Sequence, residues 1–271
     1  MSQPEDAACT FRRLHEDGVL LLPNVWDGGS ARLIESLGAK ALATTSAGVA
    51  WAQGYPDGDL LPVPLLRASV EAIARVARVP LTVDVEGGYS DDPTTVGEVV
   101  AQVVDAGAVG INLEDGTRAP ELLCAKIEEA KNAASRRGVD LFVNARTDVY
   151  LRALAPPEAR VEESLRRAER YRRAGADGIF VPGVSDLAEI RDLSAARLPL
   201  NVLARLGLPP AARLAELGVR RLSAGSWVAS AALGRMRSVV TVFWRRASAI
   251  RSSTTRGRTR RSMRCWPGPD E

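Results

Sequence analysis

The sequence predicts a single α/β domain of the (β/α)8 TIM-type barrel class with a basic, irregular C-terminal tail, and three observations support this prediction. Eight short apolar runs recur along the 271 residues, and each one stops at polar residues. A stretch with helical spacing of apolar residues follows each run, and this alternation is typical of parallel βαβ units. Eight such units close into a barrel, for which this chain has the usual length. An open doubly wound sheet is the main alternative.

The predicted strands and helices alternate up to residue 244. The strands are expected at 19–27, 40–50, 79–91, 108–116, 140–148, 177–184, 198–204 and 219–227. The helices are expected at 28–39, 63–77, 93–108, 120–138, 157–175, 186–196, 209–218 and 228–244. We therefore assign residues 1–244 to one catalytic barrel domain.

The segment 245–271 loses both patterns and forms the tail. It holds eight arginines against two acids, a local charge of +6, whereas the whole chain carries +3, so the remainder carries −3. A segment rich in Arg and Ser without apolar periodicity is predicted to be disordered. Because the barrel itself is acidic, we expect no nucleic-acid partner.

The composition limits the class of protein. The hydrophobic fraction is 46% and the charged fraction is 25%, as in ordinary soluble proteins. No apolar run reaches the ~20 residues that a membrane-spanning helix needs. The three cysteines have no spacing pattern, which indicates a reducing compartment. We therefore expect a cytoplasmic protein without membrane contact.

Two common kinds of catalytic site are disfavoured. His15 is the only histidine, and we expect it on the surface of an N-terminal helix, which disfavours His-based acid–base catalysis and His-rich metal sites. None of the three lysines, at positions 40, 126 and 131, is expected at the carboxyl end of a strand. A Schiff-base mechanism therefore has no evident lysine.

Three carboxylates end two neighbouring predicted strands. Asp84 and Glu86 are two residues apart, so their side chains point to the same side of a strand, and Glu114 ends the next strand. Carboxylates without His or Cys beside them favour a hard cation, Mg²⁺ or Mn²⁺. The alternative is that one or two of them are solvated loop acids.

Other strand-end residues could bind an anionic substrate. Arg146 suits bidentate capture of a carboxylate, although an internal ion pair with Asp148 or Glu114 is the alternative. The small residues Ser46, Ala47 and Gly48 leave backbone N–H groups open to a bound oxygen, or else form a plain tight turn. Asp57 is equally consistent with an ordinary β-turn, and Asn201 ends the seventh strand.

Several motifs in order resemble the isocitrate lyase/phosphoenolpyruvate mutase superfamily. The likeness runs from about residue 11 to residue 235, and its motifs are PNVWD (23–27), TTSAG (44–48), GYPDG (54–58), VDVEGGY (83–89), NLED (112–115) and NARTD (144–148). The resemblance implies an (α/β)8 barrel, usually tetrameric, whose last helix is exchanged between subunits. It also implies Mg²⁺ and chemistry on C–C or P–C bonds next to a 2-oxo acid or its enolate.

The resemblance also implies roles for individual residues. Asp84 matches the principal metal carboxylate, Glu114 matches a further acid of the metal shell, and Glu86 stands where many members have Asp. The stretch Ser46, Ala47 and Gly48 matches residues that hold substrate oxygens. Arg146 matches the carboxylate-binding arginine, and Asp57 matches a metal-side acid. Asp57, Arg146 and Ser46 are therefore the candidate catalytic residues, with Asn201 as a further substrate-binding candidate.

The chain departs from both specialised patterns of the superfamily. The lyases carry a Lys-Lys-Cys-Gly-His loop after the strand-four acids, which is absent here. Cys124 falls on an apolar helical face and is expected in the core. The phosphonomutases have Lys directly after Glu-Asp, whereas Gly116 and Thr117 follow Asp115 here.

The predicted function is that of a Mg²⁺-dependent C–C lyase or decarboxylase. It would act on a small 2-oxo or 2-hydroxy dicarboxylic acid, for example oxaloacetate, through a metal-stabilised enolate. Two alternatives stay open: a mutase or hydrolase of the P–C or phosphoenolpyruvate type that uses the same site, and a barrel that binds a metabolite without turnover. We expect a homo-oligomer, a tetramer or a dimer, whose assembly the altered C-terminus weakens.

Overall fold

The structure, a computed structural model, describes residues 4–245. Residues 1–3 and 246–271 lie outside the described residues, and the predicted disorder of the tail stays a prediction. Arg245 is the last residue of the final helix, and the division between barrel and tail stays a prediction.

The described residues form one parallel sheet that closes on itself. Its segments are β1 (Leu20–Leu22), β2 (Asn24–Val25), β3 (Leu42–Thr44), β4 (Leu81–Asp84), β5 (Gly110–Glu114), β6 (Phe142–Arg146), β7 (Gly178–Phe180), β8 (Leu200–Leu203) and β9 (Val219–Ser223). β1 and β2 are two halves of the predicted first strand, because Pro23 has no N–H to donate to the ladder. β1 pairs with β9 and β2 pairs with β3, which confirms the predicted barrel.

Helices surround this sheet in the expected order. They are α1 (Pro4–Arg13), α2 (Gly28–Ser36), α3 (Ser46–Ala52), α4 (Val63–Ala74), α5 (Pro93–Asp105), α6 (Pro120–Ser135), α7 (Arg160–Arg173), α8 (Leu187–Leu193), α9 (Ala211–Glu216) and α10 (Trp227–Arg245), with a 3₁₀ turn at Pro157–Ala159. α5 and α6 each begin with a proline, whose fixed φ suits the first helical turn. Asp27 and Asp186 cap α2 and α8 by accepting backbone N–H groups.

The predicted second strand, 40–50, is wrong beyond residue 44. β3 ends at Thr44, and Ser46 begins the short helix α3. The N–H of Val49 donates to the carbonyl of Thr45 at 3.0 Å, as in a helix. A Cβ at Gly48 would lie 2.7 Å from Thr45 Cγ2, so this turn packs too tightly for any larger residue. Small residues such as these do not distinguish strand from helix.

The amino end of the barrel is closed by an apolar plug. Phe11 of α1 packs with Leu20, Leu22 and Phe142 inside the strands. His15, expected on the surface, is only 4% exposed, and its ring stacks on Phe142 at 4.2 Å between centroids. This prediction was wrong because the polar helix sequence does not reveal that the chain turns back under the barrel. Burial lowers the pKa of His15 to about 3, so the ring is neutral at physiological pH.

The last helix differs from the others in its exposure. α10 presents several large apolar side chains to solvent: Trp227, Leu233, Met236, Val239, Val242, Phe243 and Trp244. Among the described residues, no helix combines the length and the apolar character that crossing a membrane requires.

Candidate active site

The predicted acids and Arg146 meet at the carboxyl ends of β4, β5 and β6. Glu114 and Arg146 are direct neighbours in the register of β5 and β6. Arg146 Nη1 forms an ion pair of 2.5 Å with Glu114 Oε2, and Arg146 Nε forms one of 2.7 Å with Asp148 Oδ1. The internal ion pair is therefore present, with both acids. Arg146 Nη2 also donates to Asp148, which leaves two of its five N–H groups for a ligand.

Burial shifts the titration of the strand-end carboxyl groups. It raises the pKa of Glu114 to about 8, although the Arg146 guanidinium acts in the opposite direction. It also raises the pKa of Asp84, and the negative charge of Asp57 adds to this shift. Ionising these carboxyl groups would place several negative charges close together in a half-buried site. A bound cation would reduce the repulsion between them.

Glu86 ties two loops together instead of pointing freely into the site. Its Oε2 accepts the N–H groups of Gly58 and Asp59 at 2.7 and 2.6 Å, and its Oε1 accepts the Tyr89 hydroxyl at 3.2 Å. In return Asp59 Oδ1 accepts the N–H groups of Gly87 and Tyr89, both at 3.1 Å. Glu86, Asp59 and Tyr89 all have left-handed φ angles of 51 to 63°. Because both Glu86 oxygens are engaged, its role as a metal ligand stays a prediction.

The donor set of the site fits a hydrated hard cation. Within residues 4–245, no three His, Cys, Asp or Glu side chains are arranged to ligate one ion together. Mg²⁺ typically keeps several waters and takes only one or two protein carboxylates. The oxygens of Asp84 and Glu114 meet that requirement, and both belong to carboxylates that burial disfavours as bare anions.

The remaining predicted substrate residues differ in accessibility. Ser46 is partly exposed, and its backbone N–H donates to the Asp84 carboxylate. Ala47 and Gly48 are buried in the first turn of α3, so only Ser46 of the three offers a side chain to a ligand. Asp57 is exposed at the mouth of the site.

A buried polar layer lies below the strand ends, and Asn201 belongs to it. Asn201 is 0% exposed and accepts a hydrogen bond from Ser223 Oγ at 3.2 Å. Asn112 Oδ1 accepts from Asn144 Nδ2 at 2.9 Å and from Arg221 Nη2 at 3.1 Å. TIM barrels usually fill this level with branched apolar side chains. Substrate binding by Asn201 stays a prediction.

Arg221 was not identified from the sequence. It is only 1% exposed, and burial lowers its pKa to about 9, so the guanidinium is still charged at neutral pH. Arginine in the middle of a short predicted strand was the available signal, since an arginine is almost never fully buried without a reason.

Asp115 supports the site through hydrogen bonds to neighbouring elements. Its carboxylate accepts hydrogen bonds from Arg167 Nη1 at 2.7 Å, the Tyr171 hydroxyl at 2.6 Å and the Asp148 N–H at 2.9 Å. Asp115 thereby links α7 to Asp148, and Asp148 holds Arg146. The sequence placed Asp115 in a motif but did not separate this supporting role from a catalytic one.

Two concave regions lie at opposite ends of the barrel. A cavity of about 230 Å³ adjoins the acids and is lined by Gly58, Asp59, Glu86, Glu114, Arg118 and Lys126. Lys126, expected on a helix away from the site, is buried, and its Nζ donates to the Gly87 carbonyl at 2.7 Å. A groove of about 1200 Å³ at the amino end contains none of the predicted site residues. We place the chemistry at the carboxyl ends, where barrel enzymes have it.

Comparison with known proteins adds relatives to this geometry. A protein of Mycobacterium tuberculosis is 40% identical over 231 residues, which cover 83% of this chain and 84% of that protein. Oxaloacetate decarboxylase of Pseudomonas fluorescens is 30% identical over 206 residues, which cover 73% of this chain and 70% of that enzyme. The crystal structure of a phosphonomutase candidate from Burkholderia cenocepacia J2315 matches with a TM-score of 0.84 at 42% identity, covering 88% of this chain and 99% of that one.

The family itself follows from a match over most of the chain. The family model described as phosphoenolpyruvate phosphomutase matches residues 11–243. Superfamily members are lyases or mutases. The chain therefore belongs to the phosphoenolpyruvate mutase family, within the isocitrate lyase/phosphoenolpyruvate mutase superfamily.

Proposed function

We propose that the protein is a divalent-cation-dependent carbon–carbon lyase that decarboxylates a small 2-oxo dicarboxylic acid such as oxaloacetate, with Mg²⁺ as the ion and Mn²⁺ as a substitute. A 2-hydroxy acid is the second substrate class that the site would accept. One observation carries the proposal: a guanidinium with two open N–H groups stands beside a carboxylate cluster at the strand ends. The likeness to an oxaloacetate decarboxylase supports it.

In this proposal some residues bind the substrate and others bind the ion. Arg146 binds a substrate carboxylate through its two open N–H groups, and Glu114 and Asp148 fix its orientation. Asp84 and Glu114 would hold the cation, which when bound withdraws electrons from the 2-oxo group and offsets the enolate charge. Ser46, next to Asp84, would contact the substrate oxygens, and Asp57 lies at the entrance.

The decarboxylation needs little proton-transfer machinery from the protein. Breaking the C–C bond releases CO₂ and leaves the electron pair on the three-carbon fragment as an enolate, which takes one proton from solvent to give pyruvate. The chain lacks the Lys-Lys-Cys-Gly-His loop, and Cys124 lies partly buried against the core, which matches its expected placement. A reaction that ends in protonation by solvent therefore suits this chain better than one that needs a cysteine acid.

A second candidate is P–C bond or phosphoenolpyruvate-type chemistry at the same site. The 42% identity to a phosphonomutase candidate favours it. The residues after Asp115 argue against it, because Gly116 and Thr117 replace the lysine expected there.

A panel of oxo acids with Mg²⁺ or Mn²⁺ and mass-spectrometric detection of products tests the proposal. We expect pyruvate from oxaloacetate, loss of turnover on chelation of the metal, and loss of turnover in Arg146→Ala. Arg173→Ala serves as the control, because Arg173 pairs with Glu169 on the exposed surface at the end of α7 and lines no part of the site. Phosphorus NMR changes with phosphonopyruvate and no pyruvate from any C–C substrate would establish the second candidate. Oxalate binding in calorimetry without any product would establish a binding barrel.

We also propose that the chain forms a dimer or tetramer through α10. Its exposed aromatic and aliphatic side chains would be covered in an assembly. Light scattering that gives a monomer mass would overturn this proposal, and a clean tetramer would overturn the expectation that the altered C-terminus weakens assembly.

A further inference from the structure

Arg221 lies inside the barrel directly beneath the candidate active site. Its Nη2 donates to Asn112 Oδ1, and Asn112 is the register neighbour of Asp84 across β4 and β5. Asn112 also lies two residues before Glu114 on the same strand, so its side chain points to the same side as that of Glu114. The guanidinium is therefore hydrogen-bonded to a residue that lies next to both proposed cation-binding acids.

Within the described part of the chain, only one nitrogen of this guanidinium has a hydrogen-bond partner. Among the described residues, Arg221 forms no ion pair, and its Nε and Nη1 have no hydrogen-bond partner. Arg146, in contrast, is paired with two acids. A buried ion is costly unless something in its surroundings balances it, and unpartnered buried donors call for an explanation.

The charge of Arg221 acts on Asp84 at the strand ends and also on His15 in the amino-end plug. Asp84 is the acid whose charge interacts with the guanidinium, and burial excludes water that would otherwise screen it. The neighbouring arginine on β9, Arg220, points to the opposite face of the strand and is only half-buried. One strand thus carries one arginine inside the barrel and one outside it.

We propose that Arg221 is a positioning residue that supplies a fixed positive charge under the site, where it favours dianionic ligands over monoanionic ones and restrains the affinity for the cation. This inference rests on the proposed function, because the dianion it favours resembles the enolate formed by decarboxylation. Arg221 does not touch the substrate. It acts through its field and through Asn112.

Binding measurements on the full chain test this inference without turnover. The probes are Mn²⁺ alone and then, at saturating Mn²⁺, the dianion oxalate and the monoanion pyruvate, each followed by calorimetry. In Arg221→Met we expect oxalate to bind about tenfold more weakly and pyruvate about threefold more weakly, because Coulomb energy scales with ligand charge. Mn²⁺ should bind about tenfold more tightly, since a like charge has been removed. Tenfold corresponds to about 1.4 kcal/mol.

Opposite shifts for cation and dianion are the signature of a charge effect. Arg221→Lys should restore all three affinities to near the original values, and Arg220→Met, the matched control, should change none. A packing defect would weaken all three probes together, and that result, or unchanged affinities in Arg221→Met, would overturn the inference. If Arg221→Met does not fold, Arg221→Lys and Arg221→Gln provide the same comparison between a retained and a removed charge.

The outcomes separate this inference from the proposed function. If the protein binds Mn²⁺ and oxalate with the expected shifts but yields no pyruvate from oxaloacetate, the function fails and the role of Arg221 stands. If pyruvate forms but the shifts are absent, the function stands and the role of Arg221 fails. If the unmodified chain binds neither Mn²⁺ nor oxalate, both are overturned.

Discussion

The two ends of the barrel are lined by different kinds of side chain. At the amino end, Phe11, Phe142 and the neutral ring of His15 form an apolar plug. At the carboxyl end, Asp84, Glu114 and Arg146 place partly buried charges close together. Burying aromatic side chains stabilises the fold, whereas burying charges costs stability unless each is paired. The difference assigns stabilisation of the barrel to the amino end, whereas under the proposed function the carboxyl end binds the ligand.

The largest expected effect is at the carboxyl end. Asp84→Asn should reduce oxaloacetate turnover by about 10³-fold, or about 4 kcal/mol of transition-state stabilisation. The metal-free variant should melt no lower than the original, because it loses a buried carboxylate whose pKa is raised by burial. Steady-state kinetics and thermal melting measure the two quantities. Asp105→Asn, which removes the surface partner of Arg137, is the control and should leave turnover unchanged. Equal activity losses in both variants would break the comparison.

The second effect is at the amino end and has the reverse character. Phe11→Ala should lower the free energy of unfolding by about 3–5 kcal/mol, because Phe11 is fully buried in the plug. The folded fraction should keep its KM and kcat, since Phe11 packs with apolar side chains of α1 and of the strands rather than at the strand ends. Urea denaturation and kinetics on the folded enzyme provide the measurements. A changed KM would show that the two ends are coupled.

Much of the fold could be predicted, because strand and helix periods are local properties of the sequence. Apolar runs followed by helical spacing located the strands and the principal helices, and Pro23 split the first strand for a reason that is also local. The strand predicted at 40–50 was too long because its last residues are small and do not favour a strand over a helix. The position of His15 could not be predicted, since its stacking partner Phe142 is distant in sequence.

The site could be predicted only as a set of acids. Strand ends collect acids for several reasons, and the sequence does not say which reason applies. Asp27 caps a helix, Glu86 ties two loops, and Asp115 receives Arg167 and Tyr171 from a helix more than 50 residues away. Only three-dimensional contacts separate these acids from Asp84 and Glu114. Arg221 was missed because arginine is rarely expected inside a barrel.

The third effect distinguishes the two ends by pH. The native state keeps His15 neutral to about pH 3, whereas the unfolded chain takes up a proton below about pH 6.5. Stability should therefore fall as the pH falls, by roughly 2 kcal/mol between pH 7 and pH 5. At the carboxyl end the raised pKa values of Glu86 and Glu114, about 7 and 8, act in reverse. Their contribution to the stability of the metal-free protein falls as the pH rises from about 4.5.

Urea denaturation between pH 5 and pH 8 separates these two slopes. In the metal-free protein the two slopes oppose each other between about pH 4.5 and pH 6.5. Mg²⁺ should remove the loss of stability on the alkaline side, because a bound cation favours ionised carboxylates. In the presence of Mg²⁺, His15→Gln should then remove the loss on the acid side. If stability in the presence of Mg²⁺ still falls as the pH rises, the cation does not bind the ionised forms of Glu86 and Glu114. If His15→Gln retains the acid slope, another group is responsible for it.

The smallest effect tests whether every acid at the carboxyl end belongs to the site. Asp27 follows β2 yet serves α2, since its Oδ1 accepts the Ser30 N–H at 2.6 Å and the Ser30 hydroxyl in turn accepts the Asp27 N–H at 3.1 Å. Asp27→Ala should cost about 1 kcal/mol of stability, a lowering of the melting temperature by about 2–4 °C. Turnover should be unaffected, and Asp27→Ser should recover most of the stability. If Asp27→Ala lost turnover and only Asp27→Glu restored it, the charge of Asp27 would act on the site. Asp27 would then belong with the reacting acids and not with the acids that only support the fold.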